Sequence, residues 1–316
     1  GYGGALGSVN QTLGSDTLIG GKGDDIYWIN RDGASDYWSP NTNDTVVELA
    51  NEGYDTLYVQ TFNATLPENV EALVDRYGSS SYVFEGNTIL PRNLRGNSLD
   101  NVIDATSADS GWVKYRAVGP DIIVDGGLGA DTLIGGDAAN VYVVDDINDL
   151  VIDKGNDSIP AVDLVQSSVS YVLPLAIENL ELTGSNAING VGNSRANVLD
   201  GSKNSAVNRL SGGAGDDIYI LGQGDIAIEQ PGEGFDRIVI KDFQSGTTVF
   251  KIDDLAANFE GLELVGVTGS ELTGNSVDNY LGLGVTNDGF YPGHGTVFGG
   301  AGNDVLINKG GSIILD

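Results

Sequence analysis

The 316-residue chain has no cysteine, no methionine, one histidine and three tryptophans. Without cysteine there is no disulfide framework, no thiolate nucleophile and no thiolate ligand. One histidine and no cysteine leave almost no room for a catalytic triad. The histidine, His294, lies in Gly293-His294-Gly295, and neither a His-Glu-x-x-His zinc motif nor a Gly-x-Ser-x-Gly nucleophile elbow occurs. Basic residues are scarce, 15 Lys and Arg against 45 Asp and Glu, for a formal net charge of −30. That balance excludes nucleic acid and anionic membrane as partners, because both require a basic surface. It also makes the chain repel itself, so divalent cations should favour its compact state. No apolar run is long enough for a transmembrane segment, and no N-terminal stretch reads as a signal peptide. With no methionine, the chain is expected to be a mature fragment or a processed product.

Glycine, in contrast, is abundant: 47 residues, with no collagen-like period. It is concentrated in a nonapeptide, G-G-x-G-x-D-x-U-x, where U is a large aliphatic or aromatic residue. Gly126–Ile134 is one complete copy. Gly126, Gly127 and Gly129 allow positive φ, so the chain can turn its carbonyls inward. Asp131 adds a carboxylate, and carbonyls with carboxylates are the oxygen ligands a hard cation requires. Thr132-Leu133-Ile134 then reads as a short strand that drops Leu133 into a core. Further full copies begin with Gly20, Gly21 and Gly23 before Asp25, with Gly212, Gly213 and Gly215 before Asp217, and with Gly299, Gly300 and Gly302 before Asp304. Degenerate neighbours carry Asp16 in one case and Asn140 in another.

These repeats resemble the RTX (repeats-in-toxin) family of calcium-binding β-rolls, whose turns carry hemolysin-type calcium-binding repeats. The resemblance implies several bound Ca²⁺ ions, with the sixth-position Asp of each turn as a ligand. It also implies type I secretion and an extracellular or cell-surface location. The tail Gly310–Asp316 is a weak match to a C-terminal secretion signal.

A larger repeat overlies the nonapeptides. A segment of the form Asp-φ-x-φ-acid recurs as Asp44–Glu48, Asp149–Asp153 and Asp225–Glu229, each followed by a turn leading to Asp55, Asp163 or Asp236. A Leu/Glu signature follows at Val70–Leu73, Ile177–Leu180 and Phe259–Leu262. Gly-Asn-Ser segments then place Asn101, Asn197 and Asn279 at the sixth position. Super-repeats thus span about 11–104, 116–200 and 201–282, with a partial fourth over 296–316. Short alternating strands, punctuated by Gly, Asn and Asp, predict an all-β, elongated parallel β-solenoid forming one continuous unit over 1–316.

In a two-sided roll one coil takes two nonapeptides, ~18 residues. The spacing therefore stacks Asp131 on Asp149 (149 − 131 = 18), Asp217 on Asp236 (19) and Asn208 on Asp225 (17). Asp16 with Asp44, and Asp25 with Asp55, are the matching pairs of the first super-repeat, stretched by an insertion near 30–43. These pairs are expected to share ions between stacked turns. Turns with Asn instead of Asp, including Asn140 and Asn208, are expected to be closed mostly by hydrogen bonds. Segments near 30–43, 76–93, 105–120 and 283–298 should project as loops, and Tyr37-Trp38 with Trp112 and Tyr115 could bind a cell-surface polysaccharide, seal a subunit interface or fold back as caps. Tyr27 and Tyr219, at the U position, are expected in the core.

The function expected is a non-enzymatic one: a secreted, calcium-stiffened structural solenoid. With no capping helix at either end, it should assemble head-to-tail into a filament, sheath or surface layer. The alternatives are the secretion and folding module of a larger toxin, adhesin or enzyme, and, less favoured, a polysaccharide-acting β-helix enzyme. For the last, acids are too abundant for any pair to stand out.

Overall fold

The computed structural model describes residues 16–29, 44–60, 63–76, 84–85, 88–89, 92–106, 122–155, 161–241, 249–251, 258–265, 270–283, 295–308 and 312–314. Among them there is no α-helix. The chain divides into two compact units, 1–165 and 166–316. No described helix is long and apolar enough to cross a membrane.

In the first unit, Ile26–Ile29, Thr56–Val59, Ala72–Asp75, Val102–Asp104, Thr132–Gly135 and Leu150–Asp153 form one sheet in sequence order. Interleaved with them along the chain, Ala64–Thr65, Arg92–Arg95, Ile122–Asp125 and Asn140–Val144 join a second sheet. Each strand pairs in parallel with one on the neighbouring coil. Two parallel sheets visited alternately are the two faces of a β-solenoid. Phe84–Glu85 and Thr88–Ile89 form a short antiparallel pair outside this pattern.

The second unit repeats the scheme. Asn179–Leu182, Val198–Asp200, Ile218–Leu221, Arg237–Lys241, Gly261–Val265, Tyr280–Leu283 and Val305–Asn308 succeed one another in one sheet. They alternate first with Tyr171–Val172, Asn189–Val191, Arg209–Ser211 and Ile226–Ile228, then with Val249–Lys251, Glu271–Thr273, Thr296–Phe298 and Ser312–Ile314.

Alternation along each short strand sends one side chain inward, and parallel register stacks those side chains in columns. Tyr27, Leu57, Leu73, Ile103, Leu133 and Val151 lie in successive register in the first unit, all buried. Leu180, Leu199, Tyr219, Ile238, Leu262 and Leu281 do the same in the second. Full burial of each such side chain contributes about 1.5–3 kcal/mol, so the columns are the main source of stability. Tyr27 and Tyr219 are core residues, as their position in the repeat predicts.

The register confirms every stacked pair read from the spacing. Thr17 lies beside Thr45, Ile26 beside Thr56, Thr132 beside Leu150, Arg209 beside Ile226 and Ile218 beside Arg237. Coil length is less regular than the expected 18: Thr56 to Ala72 takes 16 residues (72 − 56) and Val102 to Thr132 takes 30 (132 − 102). The loop bounds also change. Arg92–Arg95 and Thr296–Phe298 are paired strands and not parts of the loops placed near 76–93 and 283–298. The segment 30–43, most of 105–120, Tyr37, Trp38, Trp112, Tyr115 and His294 lie outside the described residues.

Candidate metal centres in the glycine turns

The second and fourth residues of each full glycine turn do adopt positive φ: Gly21 (83°) and Gly23 (119°), Gly127 (89°) and Gly129 (121°), Gly213 (92°) and Gly215 (129°), Gly300 (88°) and Gly302 (131°). The first glycine does not, contrary to the expectation for Gly126. It is glycine for another reason. A Cβ on Gly126 would collide with Oδ2 of Asp131, one on Gly212 with Oδ2 of Asp217, one on Gly299 with Oδ2 of Asp304, and one on Gly20 with Asp25, Glu48 and Tyr27 together. The first glycine makes room for the sixth-position carboxylate.

Each stacked pair is joined directly. The backbone N–H of the earlier residue donates to Oδ1 of the acid one coil later: Asp16 to Asp44 (2.9 Å), Asp25 to Asp55 (2.8 Å), Asp131 to Asp149 (2.8 Å), Asn208 to Asp225 (2.8 Å) and Asp217 to Asp236 (2.9 Å). The ladder continues through Asn101 to Asp131 (2.7 Å), Asn197 to Asp217 (2.7 Å) and Asn279 to Asp304 (2.9 Å). It is capped by the glutamates of the Leu/Glu signature. Asp55 N–H donates to Glu71 Oε2 and Asp236 N–H to Glu260 Oε2.

A ladder bond uses one carboxylate oxygen and leaves the other. Oδ2 of Asp25, Asp55, Asp131 and Asp217 is buried without a hydrogen-bond partner. Each such atom is costly unless something opposite in charge meets it. Among the described residues, three carboxylates converge at two places, their ligand atoms lying within 4.8 Å of one another: Asp25, Glu48 and Asp55, and Asp217, Glu229 and Asp236. All six residues are buried, and Oε2 of both glutamates also lacks a partner.

The two centres are built alike. The glutamate precedes the stacked aspartate by seven residues in both (55 − 48 and 236 − 229). The core tyrosine two positions after the first aspartate donates its hydroxyl to the glutamate: Tyr27 to Glu48 and Tyr219 to Glu229. Asn69 and Asn258, both at positive φ, donate their amides to the backbone carbonyls of Glu48 and Glu229 (3.0 Å each). The turns also close identically, Gly23 N–H on the Glu52 carbonyl and Gly215 N–H on that of Glu233.

Burial and mutual repulsion push these acids towards the neutral form. Burial lifts Asp217 to about 7, with the charge of Asp236 adding to the rise. It lifts Asp236 to about 6 and Glu229 to about 8, the Tyr219 hydrogen bond holding the latter down somewhat. Glu48 and Asp55 are raised for the same primary reason. Two unit charges 4.8 Å apart repel by about 3.5 kcal/mol at an effective dielectric of about 20. Three such pairs, about 10 kcal/mol, rival a typical net folding stability of about 5–15 kcal/mol. Full ionisation of such a centre is therefore strongly destabilising unless a positive charge offsets the repulsion.

The remaining turns differ. Leu133 and Leu210 stand where the centres have tyrosine. Both oxygens of Asp149 are engaged, Oδ1 by Asp131 N–H and Oδ2 by the N–H groups of Asp145 and Asp146 (3.0 and 3.1 Å). Asp225 is engaged likewise by Asn208 and Gly222. Asp131 keeps its unpartnered Oδ2, and burial, with Asp149 nearby, lifts it to about 7, but no three-carboxylate set forms around it among the described residues. Of the residues marked by the repeat, Asp25, Asp55, Asp217 and Asp236 are brought into three-carboxylate centres. Asp16, Asp44, Asp131, Asp149, Asp225 and Asp304 serve the ladder. Glu48 and Glu229 were missed as candidate ligands. Their signal is a tyrosine two after the turn aspartate together with glutamate seven before the stacked one.

Comparisons with protein-family models, with curated proteins and with solved structures find no match to this chain.

Proposed function

We propose that the protein is a secreted, calcium-binding structural solenoid of the RTX type, whose coils close around Ca²⁺ at Asp25/Glu48/Asp55 and at Asp217/Glu229/Asp236. The observation that carries this reading is the pair of buried three-carboxylate centres with unpartnered oxygens. Their donors are all oxygens, and histidine and thiolate are absent from them, which favours a hard cation over zinc or copper. Buried carboxylates of irregular arrangement suit the larger Ca²⁺, with six to eight oxygen ligands, better than Mg²⁺, which retains its water. Extracellular modules of this kind bind with Kd of roughly 10⁻⁴–10⁻³ M. The chain would then be largely unfolded in a calcium-poor cytosol and wind up after export. Its role outside the cell is to provide a stiff scaffold, assembled head-to-tail into a filament, sheath or surface layer, with no catalytic chemistry.

Far-UV circular dichroism and sedimentation velocity, in chelator and in Ca²⁺ at about 1 mM, test both parts. The expected result is a calcium-driven gain of β-structure followed by growth into polymers. Calcium-driven folding that stops at monodisperse monomers would support a folding module instead, and an unchanged spectrum would refute calcium-dependent folding.

A further inference from the structure

The position equivalent to Asp25 and Asp217 in the intervening super-repeat is Asn140. It follows Gly135 by five residues and precedes Tyr142 by two, as Asp217 follows Gly212 and precedes Tyr219. Its backbone N–H donates to Oδ1 of Asp163 (2.7 Å), the same ladder bond as in the other two. Its amide nitrogen lies 2.8 Å from where a Cβ on Gly135 would be, the place that Oδ2 occupies against Gly20 and Gly212. There the Asn140 Nδ2 donates both hydrogens, to the carbonyls of Gly136 (3.1 Å) and Ala138 (2.8 Å). These two bonds also fix which end of the amide is nitrogen, and they leave its Oδ1 buried without a partner, a neutral acceptor where the other two coils bury a carboxylate oxygen. The acid that answers to Glu48 and Glu229 is one methylene shorter here. Asp153 accepts the Tyr142 hydroxyl at 3.4 Å and the N–H of Gly155 at 3.2 Å.

We infer that the Asn140 amide does in this coil what a divalent cation does in the coils of Asp25 and Asp217, so that this coil closes without an ion. An amide NH₂ is a fixed pair of partial positive charges aimed at oxygen. Set against the first glycine of the turn, it meets two backbone carbonyls directly. Glutamate is no longer needed to balance an ion, and the shorter Asp153 turns to the backbone. Asn101, Asn197 and Asn279 are a different device. Their Oδ1 accepts an N–H from Asn97, Asn193 and Asn275 respectively, and their amides reach carbonyls of the preceding coil. Among the described residues there are thus two cation-dependent coils and, between them in sequence, one wound independently of cations. That coil should stay wound when Ca²⁺ is low.

This inference rests on the calcium reading above, and hydrogen exchange with native mass spectrometry on the full chain separates the two. In chelator, Thr132–Gly135, Asn140–Val144 and Leu150–Asp153 should retain protection, while Ile26–Ile29, Thr56–Val59, Ile218–Leu221 and Arg237–Lys241 exchange freely until Ca²⁺ is added. Asn140→Asp should bind one more Ca²⁺ than the native chain and lose the chelator-resistant protection. Asp217→Asn should bind one fewer and keep its own coil protected in chelator. Loss of protection at Asn140–Val144 together with the other coils in chelator, or an unchanged ion count in both variants, would overturn the inference while leaving calcium binding intact. A native chain that binds no Ca²⁺ would overturn the calcium reading and this inference with it.

Discussion

Replacing Glu229 by glutamine separates the electrostatic role of the centre from its packing. The glutamine carbonyl can still accept the Tyr219 hydroxyl, so the hydrogen bond inside the core persists. What disappears is one of the three buried charges. In the cation-free wild type, the folded-state pKa of Glu229 is raised from 4.5 to about 8. A raised carboxyl contributes stability that is fully present below the unfolded value and is lost as pH rises towards the folded one. Each pH unit across that window costs the cation-free fold about 1.4 kcal/mol. At pH 7 the accumulated cost is at most about 3 kcal/mol, and the glutamine variant does not incur it. For a unit of this size about 1 kcal/mol is worth about 2–4 °C. Glu229→Gln should therefore raise the melting temperature in chelator by roughly 5–10 °C and lower the calcium affinity of that centre by at least about tenfold, or 1.4 kcal/mol. Calorimetric melting in chelator and in Ca²⁺, with an isothermal titration of each protein, measures both. Equal destabilisation in chelator and in Ca²⁺ would mean that Glu229 is a packing residue and would refute the reasoning.

Other consequences are simpler. In chelator the wild type should lose stability between about pH 4 and 8, because Asp217, Asp236 and Glu229 all have raised folded-state values, whereas saturating Ca²⁺ should flatten that slope; pH-dependent melting curves check it. Gly212→Ala should abolish calcium binding at its own centre, since the new Cβ collides with Asp217 and Tyr219, with the Asp25 centre unaffected in a titration. Asp131→Ala should cost about 1–3 kcal/mol in urea melts in chelator and Ca²⁺ alike, because the buried N–H of Asn101 loses its ladder partner. Leu199→Ala, in the core column at 0 % exposure, should cost about 2–5 kcal/mol whatever the cation.

The fold was legible because two periods coincide in the sequence. Glycine turns fix where the chain bends, and a single large residue two places after each aspartate fixes which side chain faces inward. Together they set the register, so that Asp131 meets Asp149 and Asp217 meets Asp236 without reference to the strands. The candidate centres were half legible. Their aspartates follow the glycine motif, but Glu48 lies 23 residues from Asp25 (48 − 25) and Glu229 lies 12 from Asp217 (229 − 217). Only closure of the coil brings each glutamate back, and unequal coil lengths hide the correspondence between the two. Tyr27 and Tyr219 read as core because their rings are core, and the hydroxyl that reaches the glutamate leaves no trace in a hydrophobicity pattern. The capping role of Glu71 and Glu260 is invisible for a similar reason, since their acceptors serve N–H groups of another coil.

The most direct measurement is a crystal structure grown in Ca²⁺, with anomalous scattering used to locate the ions. The account predicts peaks among Asp25, Glu48 and Asp55 and among Asp217, Glu229 and Asp236, and no peak beside Asn140. Absence of a peak at both acidic centres, with the coils nonetheless wound, would contradict it.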